Sequence, residues 1–183
     1  MLNTKSYSLT AVMAALLSVI TYILGPQWAI LTHLPGGVLI VPLSGSFVAL
    51  VLALGVDFGA TIVLTLWSLL LIMTPAIGFA PGIHKVFPAF LTGLLDDIYW
   101  RIWVKCSCKD SFKVGFFGVF HTIVMWTMLV FFFWIFGVPA YMLVLNPLFP
   151  ILALGDAVLT FMLSATLYKG VSSRLVLKSL NND

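Results

Sequence analysis

The sequence predicts an all-α integral membrane protein with six transmembrane helices and both termini in the cytoplasm. Three observations predict it. First, charged residues make up 8% of the chain and hydrophobic residues 62%, with a mean hydropathy of +1.15. A soluble domain carries about 25% charged residues, and far fewer cannot cover a water-facing globule. Second, the apolar residues gather into six stretches, each near the roughly 20 residues needed to cross a hydrocarbon core about 30 Å thick. Third, the basic residues are distributed unevenly between alternate connections. Together these describe one six-helix membrane domain over residues 1–183, with no soluble extension and no internal repeat.

The first stretch, residues 8–24, follows a single lysine, Lys5, and is closed by Gly25-Pro26 without a small-residue cleavage site. It therefore reads as a retained helix, not a secretory signal. The second, residues 38–54, follows Pro35-Gly36-Gly37, and the third, residues 58–73, ends at Thr74-Pro75. Both are short, so local thinning of the bilayer or unwound ends are expected there. The fourth to sixth stretches are residues 86–104, 114–136 (closed by Gly137-Val138-Pro139) and 148–168. Helices are required because lipid offers free backbone groups no partner. Pro42, Pro88 and Pro150 fall near stretch starts, where a missing N–H costs little in a first turn.

With the N-terminus inside, Lys5, Arg101, Lys105, Lys109, Lys113, Lys169, Arg174 and Lys178 all lie on the inner side, and only Lys85 lies outside. This is the positive-inside pattern. The outer connections are then residues 25–37, 74–85 and 137–147, rich in Gly, Pro and aromatics and including Trp28, His33, His84, Tyr141 and Asn146. Ordered loops on a rigid scaffold are where binding concentrates. Cys106 and Cys108 fall in a basic inner loop and read as reduced thiols, since C-x-C alone supplies too few ligands for a structural metal.

The polar residues inside the stretches carry the functional question. Asp156, eight residues into the sixth stretch, lies roughly 12 Å from its start at 1.5 Å per residue. A carboxylate at that depth must be paired, hydrated or protonated, and such groups face a bundle interior or cavity. Asp96 and Asp97 sit toward the inner end of the fourth stretch, with Arg101 four residues beyond Asp97 and able to pair with it. A relay through these carboxylates requires a second buried partner, which the sequence does not display. His121, inside the fifth stretch, reads as a packed, hydrogen-bonded histidine. His84-Lys85 is the one basic pair on the outer side and suits an anionic group. Tyr99, Trp100 and Trp103 read as an inner aromatic belt, and Trp28 and Tyr141 as outer belt residues or a stacking surface. No phosphate-binding glycine loop, G-x-S-x-G or H-E-x-x-H is present.

Helix one places Ala11 with Ala15, and Ala14 with Ser18, at four-residue spacing; helix two does so with Gly45, Ala49 and Ala53. Small residues at that spacing allow close helix approach, within the bundle or against another subunit. With Pro42-Leu43-Ser44-Gly45, the turn at Gly55–Gly59 and the stretch from Phe87 through Asp96-Asp97, these features resemble the substrate-binding S components of energy-coupling factor transporters, which import vitamins and related micronutrients. The resemblance implies a capture subunit in the cell membrane, without an ATPase of its own, working with a transmembrane coupling subunit and two ATPase subunits. It implies no cofactor and no catalytic or metal residues. Mapped here, it implies a substrate pocket drawn from Trp28, His84, Lys85, Trp126, Tyr141, Asn146 and Asp156, and a docking face at Ala11, Ala15 and Ser18. Two other readings stay open: a stand-alone carrier, and a small membrane enzyme using Asp96, Asp97 and His121 on lipid or isoprenoid.

Overall fold

The apolar stretches are helical, and their neighbours decide where each helix stops. The structure, a computed structural model, describes residues 4–32, 40–75, 82–135, 137 and 148–180. Among these residues the chain forms α1 (Thr4–Thr32), α2 (Val41–Ala53), α3 (Gly59–Leu70), a 3-10 turn (Ile83–Lys85), α4 (Val86–Trp103), α5 (Asp110–Ile135) and α6 (Leu148–Leu180), with no strand. Portions of α1, α5 and α6 (Tyr7–Trp28, Asp110–Phe132 and Phe149–Ser173) are long and apolar enough to cross a membrane; α2 and α3 are shorter apolar helices.

Beside an apolar core, the bundle buries polar groups and exposes large apolar ones. Thr10, Thr21, Ser46, Thr92, Asp96, His121 and Thr160 are all fully buried, while Ile30, Leu31, Trp134, Ile151 and Leu154 are largely exposed. Large apolar groups outside and polar groups inside is the arrangement of a protein embedded in lipid, where lipid tails are as apolar as a leucine and polar groups find partners only within the bundle.

α2 is the central helix and packs on α1, α3, α5 and α6; around it α1 meets α3, α3 meets α4, α4 meets α5 and α5 meets α6. Val48, Ala49 and Val51 of α2 are fully buried. The α2–α3 connection is tight and uses positive φ at Gly55 (76°) and Phe58 (55°). The prolines expected in first turns are there: Pro42, Pro88 and Pro150 each lie within three residues of a helix start.

Several boundaries differ from the sequence expectation, and three of them are informative. α1 does not stop at Gly25-Pro26 but runs through Pro26 to Thr32. A proline forfeits one backbone bond, whereas ending the helix in an apolar setting would leave several groups unpartnered. Trp28 is consequently a helix residue, not a loop residue. α5 begins at Asp110, whose negative charge suits the positive end of the helix and which lies 3.6 Å from Lys113. α6 continues past Tyr168 to Leu180. Tyr99, Trp100 and Trp103 do not stand apart as a belt. They pack on α5, with Tyr99 stacked on Phe120 at 3.7 Å between ring centres and Trp100 edge-on to Phe117 at 5.2 Å.

Candidate functional site

The adjacent carboxylates of α4 point to different partners. Gly93, one turn before Asp97, brings the backbones of α4 and α3 together; a Cβ there would stand 2.5 Å from Thr61 Cα. At that separation Asp97 reaches the start of α3. Its Oδ1 accepts the Ala60 N–H at 3.1 Å, and its Oδ2 accepts the Thr61 N–H at 3.0 Å and the Thr61 hydroxyl at 2.5 Å. The α3 N-cap, Phe58, supplies no side-chain acceptor, so a carboxylate from another helix serves, and its charge opposes the positive helix end. The expected Asp97–Arg101 pairing is replaced: the Arg101 guanidinium lies over the Phe58 ring, 4.6 Å from its centre.

Asp96 faces the other way. Its Oδ2 lies 2.6 Å from His121 Nδ1, and His121 Nε2 lies 2.9 Å from Ser44 Oγ, which is also 3.0 Å from the Val41 carbonyl. Ser44, Asp96 and His121 come from α2, α4 and α5, and none is more than 1% exposed. This is the buried partnering that the sequence did not display. Asp96 Oδ1 and the Thr92 hydroxyl, one turn away on the same face of α4, have no hydrogen-bond partner among the described residues. Gly45 makes the room: a Cβ there would lie 2.6 Å from Thr160 Cγ2 and 2.8 Å from His121 Cδ2. The small stripe on α2 therefore serves packing within the bundle.

A second polar group lies along α5 and α6. Trp126 Nε1 donates to Asp156 Oδ2 at 3.3 Å, and the indole meets Phe149 edge-on at 4.6 Å. The Thr160 hydroxyl donates to the Asp156 carbonyl at 2.5 Å and lies 3.0 Å from the Thr122 hydroxyl, while Ser164 donates to Ser46 at 3.3 Å. Gly118 permits this approach, since a Cβ there would stand 2.7 Å from both Ser164 Oγ and Thr160 Cγ2.

Of the residues expected to line a pocket, the structure makes direct partners of Trp126 and Asp156. His84 and Lys85 sit together in the 3-10 turn that leads into α4. Lys85 is buried and donates to the Thr74 carbonyl; burial pulls its ammonium below the ordinary lysine range. One of its three N–H donors is thus taken up by the chain itself. Trp28 lies near the end of α1. Tyr141 and Asn146 lie outside the described residues. Of the docking residues, Ala11 and Ala15 are exposed on α1 beside Val12, Leu16 and Val19. Ser18, beside Ala11 around the helix, is buried and donates to the Ala14 carbonyl at 2.7 Å. Cys106 and Cys108 are free thiols with sulfurs 3.2 Å apart. Holding the Cys108 proton in a hydrogen bond with Cys106 pushes the Cys108 thiol up.

Sequence reasoning missed Ser44. Its signal was present, a serine beside a glycine in the first turn of a short apolar helix, but serine is common in apolar helices. Only its distance from His121 distinguishes it.

No protein-family model, curated protein or solved structure matches this chain.

Proposed function

We propose that this chain is the substrate-capture subunit of an ATP-driven micronutrient importer. It lies in the cell membrane with six crossings and both ends cytoplasmic. It takes a small vitamin-like molecule from outside and passes it on through a transmembrane coupling subunit and two ATPase subunits. The observation that carries the reading is the Trp126–Asp156 pair, a buried indole hydrogen-bonded to a carboxylate and flanked by Phe149. An aromatic wall with a single carboxylate deep between two helices suits a flat ligand that carries a hydrogen-bond donor or positive charge. The exposed Ala11–Ala15 face of α1 supports a separate docking surface.

Mass spectrometry of small molecules released from the gently purified protein tests it. A stoichiometric vitamin-like compound, lost in Asp156→Ala, is the expected result. Ala11→Trp should abolish uptake in cells while leaving that compound bound. Absence of both a bound compound and a co-purifying coupling subunit would overturn the reading. A second reading, a membrane enzyme, is favoured by one observation, the Ser44–His121–Asp96 set, and is developed next.

A further inference from the structure

Serine, histidine and aspartate from three helices meet at 2.9 Å and 2.6 Å in the order Oγ, Nε2, Nδ1, Oδ2. Each contact has a chemical sense. A serine hydroxyl is a weak nucleophile until a base takes its proton, and the imidazole is a good base only if its other nitrogen is held in the right tautomer. With the ring proton on Nδ1 facing Asp96, Nε2 is left as an acceptor for Ser44. The Ser44 hydroxyl has two acceptors in reach, Nε2 and the Val41 carbonyl, so a small rotation moves its proton between a resting partner and the base.

We infer that Ser44, His121 and Asp96 form an acyl-transfer site within the bundle, with Ser44 as nucleophile, His121 as general base and Asp96 as the positioning residue. The inference rests on the enzyme reading and stands apart from substrate capture; neither needs the other. Its substrate class is an ester of an apolar acyl chain arriving from the bilayer, because Ser44 lies among Ile40, Val41 and Val48 of the apolar core.

Three further features serve this chemistry. α2 begins at Val41, three residues before Ser44, and no side chain among the described residues caps it. The positive helix end stands in the same turn as the nucleophile, where an oxyanion would form. Gly45 seats the imidazole, since a side chain there would strike His121. The unpartnered Asp96 Oδ1 and Thr92 hydroxyl leave polar capacity beside the set.

The step balances without a redox partner. Ser44 Oγ bonds to the acyl carbon as its proton passes to His121 Nε2. The ester C–O bond breaks and the leaving alkoxide takes that proton. Water, deprotonated by the same nitrogen, then releases the acid and restores Ser44.

The full chain in phospholipid nanodiscs, treated with an alkyl fluorophosphonate and mapped by peptide mass spectrometry, tests the inference. One adduct, on Ser44, is expected, absent in Ser44→Ala. His121→Gln, which keeps a polar group of similar reach, should slow labelling by about 100-fold or more. Asp96→Asn should slow it less and shift its pH profile, an effect that a purely structural role would not produce. The groups that bear on that profile are Asp96 from α4, Asp97 beside it (directed at α3) and Asp156 on α6. Ser44 is 1% exposed, so labelling also reports the opening through which substrate enters. If the wild-type protein takes no adduct while a serine hydrolase in the same nanodiscs is labelled, the inference fails, because a site closed to a small probe cannot turn over an ester. It fails equally if His121→Gln labels at the wild-type rate. The bound-compound measurement above decides the capture reading whichever way labelling falls.

Discussion

The bundle has two polar seams, and they are built on opposite terms. The α3–α4 seam joins two backbones across Gly93, and both oxygens of Asp97 are used up in capping a helix. The seam of α2 with α4, α5 and α6 joins side chains: Asp96, His121, Ser44, Thr122, Thr160, Ser164 and the Trp126–Asp156 pair. Several of these groups have a choice of partner, and one carboxylate oxygen has none among the described residues. A fully satisfied seam is rigid and structural. A seam with spare polar capacity is where binding or chemistry can occur, because unsatisfied buried groups cost energy and persist when they serve a purpose.

That contrast can be broken in a defined order. The largest loss should come from Gly93→Leu, whose side chain would meet the α3 backbone, which cannot give way; a destabilisation of about 3 kcal/mol or more is expected, read as a large fall in melting temperature in detergent micelles. Gly45→Ala meets only side-chain atoms of Thr160 and His121 and should cost visibly less. Next is Asp97→Ala, which strands the Ala60 and Thr61 N–H groups at a cost of about 2–3 kcal/mol, with Asp97→Asn recovering part of it. Asp96→Asn should cost only about 1 kcal/mol, and an Asp96 variant as damaging as its Asp97 counterpart would erase the distinction between the seams. The smallest effect should be Thr122→Val, near the roughly 0.6 kcal/mol average of hydrogen bonds between membrane helices, since Thr160 keeps the Asp156 carbonyl.

Much of this was legible in the sequence, though unevenly. The helical stretches and first-turn prolines follow from local composition, because a helix in lipid needs a run of apolar residues and tolerates a missing N–H only at its start. Pro26 misled for the same reason: the rule that proline ends helices holds where water can take up the freed groups. Asp156 and Trp126 were expected at one site and do meet. Asp96 and His121 were grouped with Asp97 in the enzyme reading, but which carboxylate meets the imidazole was not legible, because the contact spans two helices and depends on Gly45 leaving room.

The sequence by itself determined that the chain is helical, that its outward surface is apolar and that a few polar residues are carried within its helices. It also required Asp96 and Asp97 to differ, because successive helix residues are rotated by about 100° and cannot face the same neighbour. Only the tertiary structure decided which neighbour each faces. Asp97 meets the bare start of α3 and Asp96 meets His121, and no local pattern encodes that, since the partners lie 36 and 25 residues away along the chain and are brought together by which glycines let which helices close.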